Sequence, residues 1–409
     1  MQQIHLDKDE TEDAGLIKID ILSNRGLAQL VDADPNQWSL LEYPTRDSIT
    51  EDMLSSGNNI GLTFGESRGM RKLFIELRPR NIDDLAIALA LIRPAASVGG
   101  RKAAFLERWK HGAEDMGDPL RKPILFDDDA LVLIKCALEC DDDAADKWRK
   151  VFSKQNPKGR VDFRRALYAK GIPTATQNAM MDDLDQLALY SFCKSHAISY
   201  AQLVWALAYQ KAHNPHRFWV ASLNHCHSEY RRWVHWREAR CSGLVLTREK
   251  GPYKLGKRRG LPAILSTTSQ GEQLKLFTQE DTDEQNIRDA QQLGYWLSER
   301  FLPNCGVWTE AQQTLHSFFN QHAKKKVRFR GLIATGRILR RDGTVTLLTI
   351  GHNNQQYMDL VIPDVARNDL FRYAAVEGKG FLQKQGAIET ITVDSISPVS
   401  YKNLLSTKK

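Results

Sequence analysis

Cysteine is scarce in this sequence, with six in 409 residues at Cys136, Cys140, Cys193, Cys226, Cys241 and Cys305. No pair has the CxxC spacing of a zinc ribbon, so the set reads as free thiols rather than a disulfide or zinc framework. Cys136 and Cys140 fall on one helical face and His225-Cys226-His227 is rich in ligand types, but neither cluster has a second pair at a familiar distance. Long apolar runs are also missing: nothing approaches the roughly 20 residues that span a bilayer. The opening MQQIHLDKDETEDAG is acidic where a signal peptide is basic and then apolar, so the expected location is cytoplasmic. With 42% hydrophobic and 26% charged residues, wholesale disorder and collagen-like repetition are excluded.

What is present is length and an uneven basic charge. A chain of 409 residues is too long for one ordinary domain and implies roughly two to four. Lys and Arg number 57 against 50 Asp and Glu, a net charge of +7. The excess gathers at Lys147-Trp148-Arg149-Lys150, Arg231-Arg232, Lys254 to Arg259 and Lys324-Lys325-Lys326. Such clusters suit a polyanion, although a solvated surface explains most charge runs.

The first fifty residues read as a fragment. Gly15-Leu16-Ile17-Lys18-Ile19-Asp20-Ile21-Leu22 has the composition of a strand buried on both faces, yet no other core strand is expected before residue 327 to pair with it. Residues 51–235 are helical in pattern. Met70, Leu73, Phe74 and Leu77 repeat at helical spacing after Ser67, and Asn81 precedes the acidic first turn Asp83-Asp84 of an apolar helix. Further helices are expected over residues 127–139 and 199–213, the second with Tyr200, Leu203, Val204, Leu207 and Lys211 on one stripe. Residues 241–285 lose periodicity and read as a linker. Strand periodicity then takes over at 327–339, 344–351 and 356–362, followed by a helical insert near 363–376 and strands at 379–385 and 387–394. Three strands, a helix and two strands fit a five-stranded OB barrel, a fold that offers one face to single-stranded nucleic acid.

Asp20 is an acidic residue in an apolar strand, with Lys18 on the same face. A carboxylate placed so must be paired, hydrogen-bonded or bound to a cation. It is either a structural partner of Lys18 or a metal-binding carboxylate beside a phosphate-binding lysine.

Five segments, in order, resemble the C-terminal half of the bacterial DNA polymerase III alpha subunit and its error-prone paralogues, the C-family polymerases. Gly15 to Asp20 is similar to the palm segment G-L-(V/L)-K-(F/V)-D, and Glu66-Ser67-Arg68-Gly69-Met70-Arg71 to the fingers element E-S-R-G-M-(R/K). Ala90-Leu91-Ile92-Arg93-Pro94 follows. Ala145-Asp146-Lys147-Trp148-Arg149-Lys150 resembles A-D-x-L-R-R, and Phe192-Cys193-Lys194-Ser195-His196-Ala197 resembles F-N-K-S-H-A.

The resemblance implies a multidomain α+β chain: a partial palm segment over 1–50, a helical fingers domain over 51–240, a shortened linker and helical segment over 241–315, and an OB-fold domain over 316–409. It implies DNA-directed nucleotidyl transfer in replication or in translesion and repair synthesis. Asp20 becomes the third of three carboxylates that hold two Mg²⁺ ions. Lys18, Arg149 and Lys150 would neutralise the triphosphate of an incoming dNTP, with Lys194, Ser195 and His196 lining the fingers near it. Arg68 and Arg71 would bind DNA, whether primer-template or single-stranded. In the barrel, Arg330, Arg337, Arg340 and Tyr357 are candidates for phosphates and bases of a single strand, while alternation favours the core for Phe329. Gln273-Leu274-Lys275-Leu276-Phe277 resembles the Q-L-x-L-F peptide that binds the sliding clamp; Leu276 and Phe277 would anchor, Gln273 would fix register and Leu274 completes the motif.

The departures bear on activity. The P-D-x-D-x-D motif with the first two carboxylates has no counterpart in these residues, nor do the amino-terminal phosphoesterase-like domain, most of the palm and the thumb. Cys193 stands for Asn, Lys150 for Arg, and Ala95-Ala96 for Gly-Pro. The tandem helix-hairpin-helix region expected after residue 240 is reduced to the basic stretch around Tyr253 to Arg259. The chain is therefore expected to be inactive alone and completed by a partner carrying the other carboxylates. The alternatives are a non-catalytic accessory protein that binds the clamp and single-stranded DNA, or a gene fragment without stable function.

Overall fold

Polar caps written into the sequence start about half of the helices. In the computed structural model of the chain, described for residues 7–17, 23–93, 100–111, 124–185, 192–225, 227–247, 249, 251–267, 306–309, 325–340, 344–351, 357–373, 375–385 and 388–399, α1 (Lys8–Asp13), α2 (Arg25–Ala33), α3 (Ser48–Ser55), α4 (Arg68–Leu77), α5 (Ile82–Leu91) and α6 (Arg101–His111) come first. They are followed by α7 (Asp127–Leu138), α8 (Asp142–Ser153), α9 (Pro157–Ala169), α10 (Thr174–Asp185), α11 (Lys194–His213), α12 (Pro215–His225) and α13 (Arg232–Cys241). Asn24, Asp47, Ser67, Asn81, Asp141 and Asn156 each accept a hydrogen bond from the backbone N–H three residues on, satisfying a donor that the first helical turn leaves free.

Two helical cores result. In the larger, α11 lies at the centre with buried residues on every side, from Ala197 and Ala201 to Trp205 and Lys211, and it packs against α2, α3, α5 and α12. This helix begins five residues earlier than its apolar stripe predicts, because Lys194, Ser195 and His196 form an exposed first turn. The smaller core joins α7, α8, α9 and α10 around Leu133, Phe152, Phe163 and Leu184. The helices meet where the Asp127 N–H donates to the Phe192 carbonyl and the Phe126 and Phe192 rings approach to 6.3 Å.

The supposed linker contains structure. Strands β1 (Tyr253–Arg258) and β2 (Leu261–Ser266) form an antiparallel hairpin whose turn residues Arg259 and Gly260 both have positive φ, the geometry that a two-residue hairpin turn requires. Asn224 on α12 holds its start, donating to the Tyr253 carbonyl and accepting from the Tyr253 N–H. At the other end of the chain's first segment, Leu16 and Ile17 are exposed and outside any strand, 51% and 88% accessible, in contrast to the expected buried strand. Lys18 and Asp20 lie outside the described residues.

The C-terminal strands are β3 (Gly306–Thr309), β4 (Lys325–Leu339), β5 (Val345–Gly351), β6 (Tyr357–Ile362), β7 (Ala375–Gln385) and β8 (Ile388–Val399). The ladder runs β4-β5-β6-β8-β7 and returns to β4, closing a five-stranded barrel in which only β6 and β8 are parallel; β3 adds to β4. Closure depends on β4 being long. Its first half pairs with β7 and its second half with β5, with a register shift between Ile333 and Thr335. This strand order fits an OB fold. The expected helical insert is a short 3₁₀ turn, Asn368–Arg372, and Phe329 is in the barrel core.

Candidate nucleic-acid interface

The fingers-like segment begins with a loop that has almost no freedom. The Lys211 ammonium is buried and donates to the carbonyls of Asn58 and Ile60 and to the Asn58 side chain, at 2.7–2.8 Å. Gln29 Nε2 donates to the Gly61 carbonyl and to Ser222 Oγ, both at 2.7 Å. Gly61 has φ +87 and lies so close to Phe218 and Trp219 that a Cβ there would approach both rings to 3.0 Å. Glu66 points inward, accepting from the Gly61 N–H at 3.0 Å and meeting His235 Nε2 at 3.1 Å. Burial pushes the Glu66 carboxyl upward, but hydrogen bonding and charge from His235 outweigh it and hold the group below its ordinary value.

From that anchor, each position of the Glu66 to Arg71 element has a structural task. Ser67 caps α4, and Met70 is in the core. Gly69 permits close approach to α5, since a Cβ there would meet Ile92 Cδ1 at 2.5 Å. One residue further, the Arg93 guanidinium lies 4.2 Å from the centre of the Phe192 ring. His196 sits edge-on between Phe192 and Tyr200, and Tyr200 packs against Phe64 at 4.7 Å. Three of the five motif segments thus converge although they span residues 66 to 197.

The basic side chains of α4 point toward the barrel. Arg71 Nη2 meets Asp359 Oδ1 at 3.1 Å, Arg68 Nε meets Oδ2 at 3.6 Å, and Lys72 Nζ meets Oδ2 at 3.8 Å. Thr349 Oγ1 donates to the same carboxylate at 2.8 Å. Asp359 is 4% exposed in its side chain, and Arg68 and Arg71 only 11% and 14%. Burial lowers the Arg68 and Lys72 pKa values, with the Asp359 charge opposing it in each. Arg337 on β4 is exposed, and its charge also bears on Arg68.

Around this cluster the helices and the barrel share a seam. The Arg231 N–H donates to the Ala334 carbonyl, its guanidinium to the carbonyls of Phe371 and Tyr373, and the Trp233 indole to the Ile333 carbonyl. Tyr357 is part of it: its hydroxyl donates to Glu238 at 2.6 Å and its ring faces Arg237. Burial raises the Tyr357 hydroxyl well above its ordinary value. Arg68, Arg71 and Tyr357, the residues expected on DNA, all meet groups of their own chain. Arg330 pairs with Glu377 on the neighbouring strand, while Arg340 is exposed beside Arg337's end of β4.

The residues expected near a nucleotide fall in two places. Arg149 and Lys150 both pair with Asp146 of their own helix and belong to the smaller helical unit. Lys194, Ser195 and His196 open α11, where Ser195 Oγ lies 2.9 Å from the Cys193 thiol. That hydrogen bond, with the N–H groups of the first turn, lowers the thiol pKa. Gln273, Leu274, Leu276 and Phe277 lie outside the described residues. Among those described, no group of three or more His, Cys, Asp or Glu could hold a metal ion, and no helix is long and apolar enough to cross a membrane.

Sequence reasoning did not single out Lys72, Asp359, His235 or the clamp made by Lys211. For Asp359 a signal existed: an acid in the apolar run Tyr357-Met358-Asp359-Leu360-Val361-Ile362 poses the same question of a partner as Asp20 does.

Comparison with known proteins bears on the helical half. Residues 24–173 match the family profile of the bacterial DNA polymerase III alpha subunit finger domain. An error-prone DNA polymerase of Bordetella parapertussis is 29% identical over 243 residues, a match that takes in 54% of this chain and 23% of that protein. An error-prone DNA polymerase of Anaeromyxobacter dehalogenans is 30% identical over 252 residues, 54% of this chain and 22% of its own length. The DNA polymerase III subunit alpha of Aquifex aeolicus is 27% identical over 235 residues, 52% and 20% respectively. About half of the chain is therefore similar to C-family DNA polymerases, and it spans about a fifth to a quarter of their length.

Proposed function

We propose that this chain is a component of a C-family DNA polymerase: it supplies the fingers and a nucleic-acid-binding barrel, and a second polypeptide supplies the missing palm carboxylates. The observation that carries this reading is the finger-domain match over residues 24–173, joined to the convergence of three motif segments at α4, α5 and α11. On this reading residues 1–50 are the partial palm, 51–240 the fingers, 241–315 a segment bearing the clamp peptide and 316–409 the barrel. The substrates are primer-template DNA and dNTPs.

Mg²⁺ would supply the charge that activates the primer hydroxyl and stabilises departing pyrophosphate. Asp20 alone does not make such a site, so the ions depend on the partner's carboxylates. This chain's own contribution is positional. The fixed loop before α4 sets where the fingers start, Lys18, Arg149 and Lys150 offer positive charge to the triphosphate, and the first turn of α11 offers Lys194, Ser195 and backbone donors to the same anion. Gln273, Leu274, Leu276 and Phe277 hold the assembly to the sliding clamp, a role that requires clamp capture to be lost on joint Leu276→Ala and Phe277→Ala substitution.

The decisive experiment is reconstitution. The purified chain should give no primer extension; with a partner carrying P-D-x-D-x-D it should gain Mg²⁺-dependent extension that Asp20→Asn abolishes. Extension indifferent to Asp20→Asn removes that residue from the mechanism. A non-catalytic accessory role draws support from one observation, the pairing of Arg68 and Arg71 with Asp359 of their own chain. It requires single-strand and clamp binding with no extension in any reconstitution.

A further inference from the structure

The cluster around Asp359 has the wrong balance for a purely structural ion pair. Three cations, Arg68, Arg71 and Lys72, converge within 4.0 Å of one carboxylate, which carries a single charge. Among the described residues it is their only ion-pair partner; Glu229 reaches only the Arg68 backbone N–H. The cations project from the first turns of α4, a ten-residue helix whose N-terminal donors add positive potential. Two guanidiniums, an ammonium and a hydroxyl from Thr349 form a donor set that recognises phosphate oxygens. Exposed Arg337 extends the positive field outward from the seam.

We propose that the seam between helices and barrel is a phosphate-binding site held shut from within: Asp359 stands between Arg68, Arg71 and Lys72 as a stand-in for phosphate, and incoming phosphate groups displace it and loosen the barrel from α4. The ligand class is a phosphate ester, either the backbone of single-stranded DNA or a nucleotide triphosphate. The seam suits release. Most of its hydrogen bonds, from Arg231 and Trp233 to barrel carbonyls and from Tyr357 to Glu238, join groups that water can satisfy once they part. This inference rests on the nucleic-acid-binding reading given above.

The test uses the full chain, with hydrogen–deuterium exchange read on peptides covering residues 230–238 and 357–362 and with fluorescence anisotropy of labelled oligo(dT). Adding oligo(dT) should speed exchange in both peptides if strand phosphates are the ligand, and adding dATP should do so if triphosphate is. Asp359→Asn should raise oligo(dT) affinity about tenfold by removing the internal competitor, and adding Arg71→Gln should cancel that gain. A folded Asp359→Asn variant that binds no tighter overturns the proposal. So does wild-type exchange unchanged by both ligands, a readout that stands even if Asp359→Asn does not fold. Failure of the parent reading looks different: a chain that opens to oligo(dT) yet never supports extension with any partner sinks the polymerase role and leaves the internal competitor intact.

Discussion

Replacing Lys211 with Met tests whether the loop before α4 is fixed by one buried cation. The methionine stem keeps most of the apolar contact, since the Lys211 side chain runs past Phe218 and Trp219 with its ammonium 6.0 and 5.2 Å from the two ring centres. What disappears is the donor to the carbonyls of Asn58 and Ile60 and to Asn58 Oδ1. Leaving those neutral acceptors without a donor should cost about 1–3 kcal/mol. A second signature comes from proton linkage. Burial lowers the Lys211 pKa to about 8, against the pull of Glu238 and Glu66, so the unfolded chain binds this proton more tightly than the folded one. Wild-type stability should therefore gain from this group as pH rises from about 8 toward the ordinary lysine value, by about 3 kcal/mol in all, and Lys211→Met should lack that gain. Urea unfolding followed by tryptophan fluorescence at neutral and alkaline pH measures both. A variant within about 1 kcal/mol of wild type, with a gap that ignores pH, would show that the Lys211 ammonium does not fix the loop.

Glu66→Gln keeps an oxygen for the Gly61 N–H but removes the charge facing His235, and should destabilise the chain by about 1–3 kcal/mol at neutral pH. Because the native Glu66 carboxyl is held below its ordinary value, its contribution is full above the carboxylate range and lost as pH falls through the lowered pKa; that acid sensitivity should shrink in the variant, as unfolding midpoints across an acid series would show. Gly378→Ala places a Cβ against the Ser395 carbonyl oxygen and the tip of Phe329, so β7 and β8 must part. The barrel should lose about 3 kcal/mol, visible as a lower melting temperature by circular dichroism; an unchanged Tm refutes the close approach.

The helices were legible because their signals are local. Ser67 with Met70, Leu73, Phe74 and Leu77 specifies both the start and the inner face of α4, and Asn81 with Asp83-Asp84 does the same for α5. Barrel strands were legible through alternation, including the placing of Phe329 inside. The hairpin at Tyr253–Ser266 was not, since β1 is basic and glycine-containing, and its stability comes from Asn224 and from Val245, which bonds to Pro262 and Ile264. The seam was least legible of all. Arg68 and Asp359 are separated by 291 positions, and no local pattern pairs a helix N-terminus with one acid of a distant strand. The motif residues could be found from resemblance, but which anion they face in this chain is a tertiary fact.

That tertiary fact limits how freely the seam can open. Leu332, Ala334, Ala375 and Val399 of the barrel belong to the same buried cluster as the core of the helices, so parting the two exposes apolar surface as well as ion pairs. Burying a leucine or valine contributes about 1.5–3 kcal/mol and an alanine less, which puts the apolar part of the closed state on the order of 5 kcal/mol. Phosphates must supply that much through contacts with Arg68, Arg71, Lys72 and Arg337. Much of their contribution is counterion release, which weakens as salt rises, whereas the apolar part does not. Closed and open forms should therefore exchange places with ionic strength at fixed oligo(dT): the barrel parts from the helices at low salt and returns at high salt, even while the strand is in excess. Small-angle scattering across a salt series in the presence of oligo(dT) reads that change directly, and an open form that persists at high salt would show that apolar contacts across the seam count for less than the buried side chains imply.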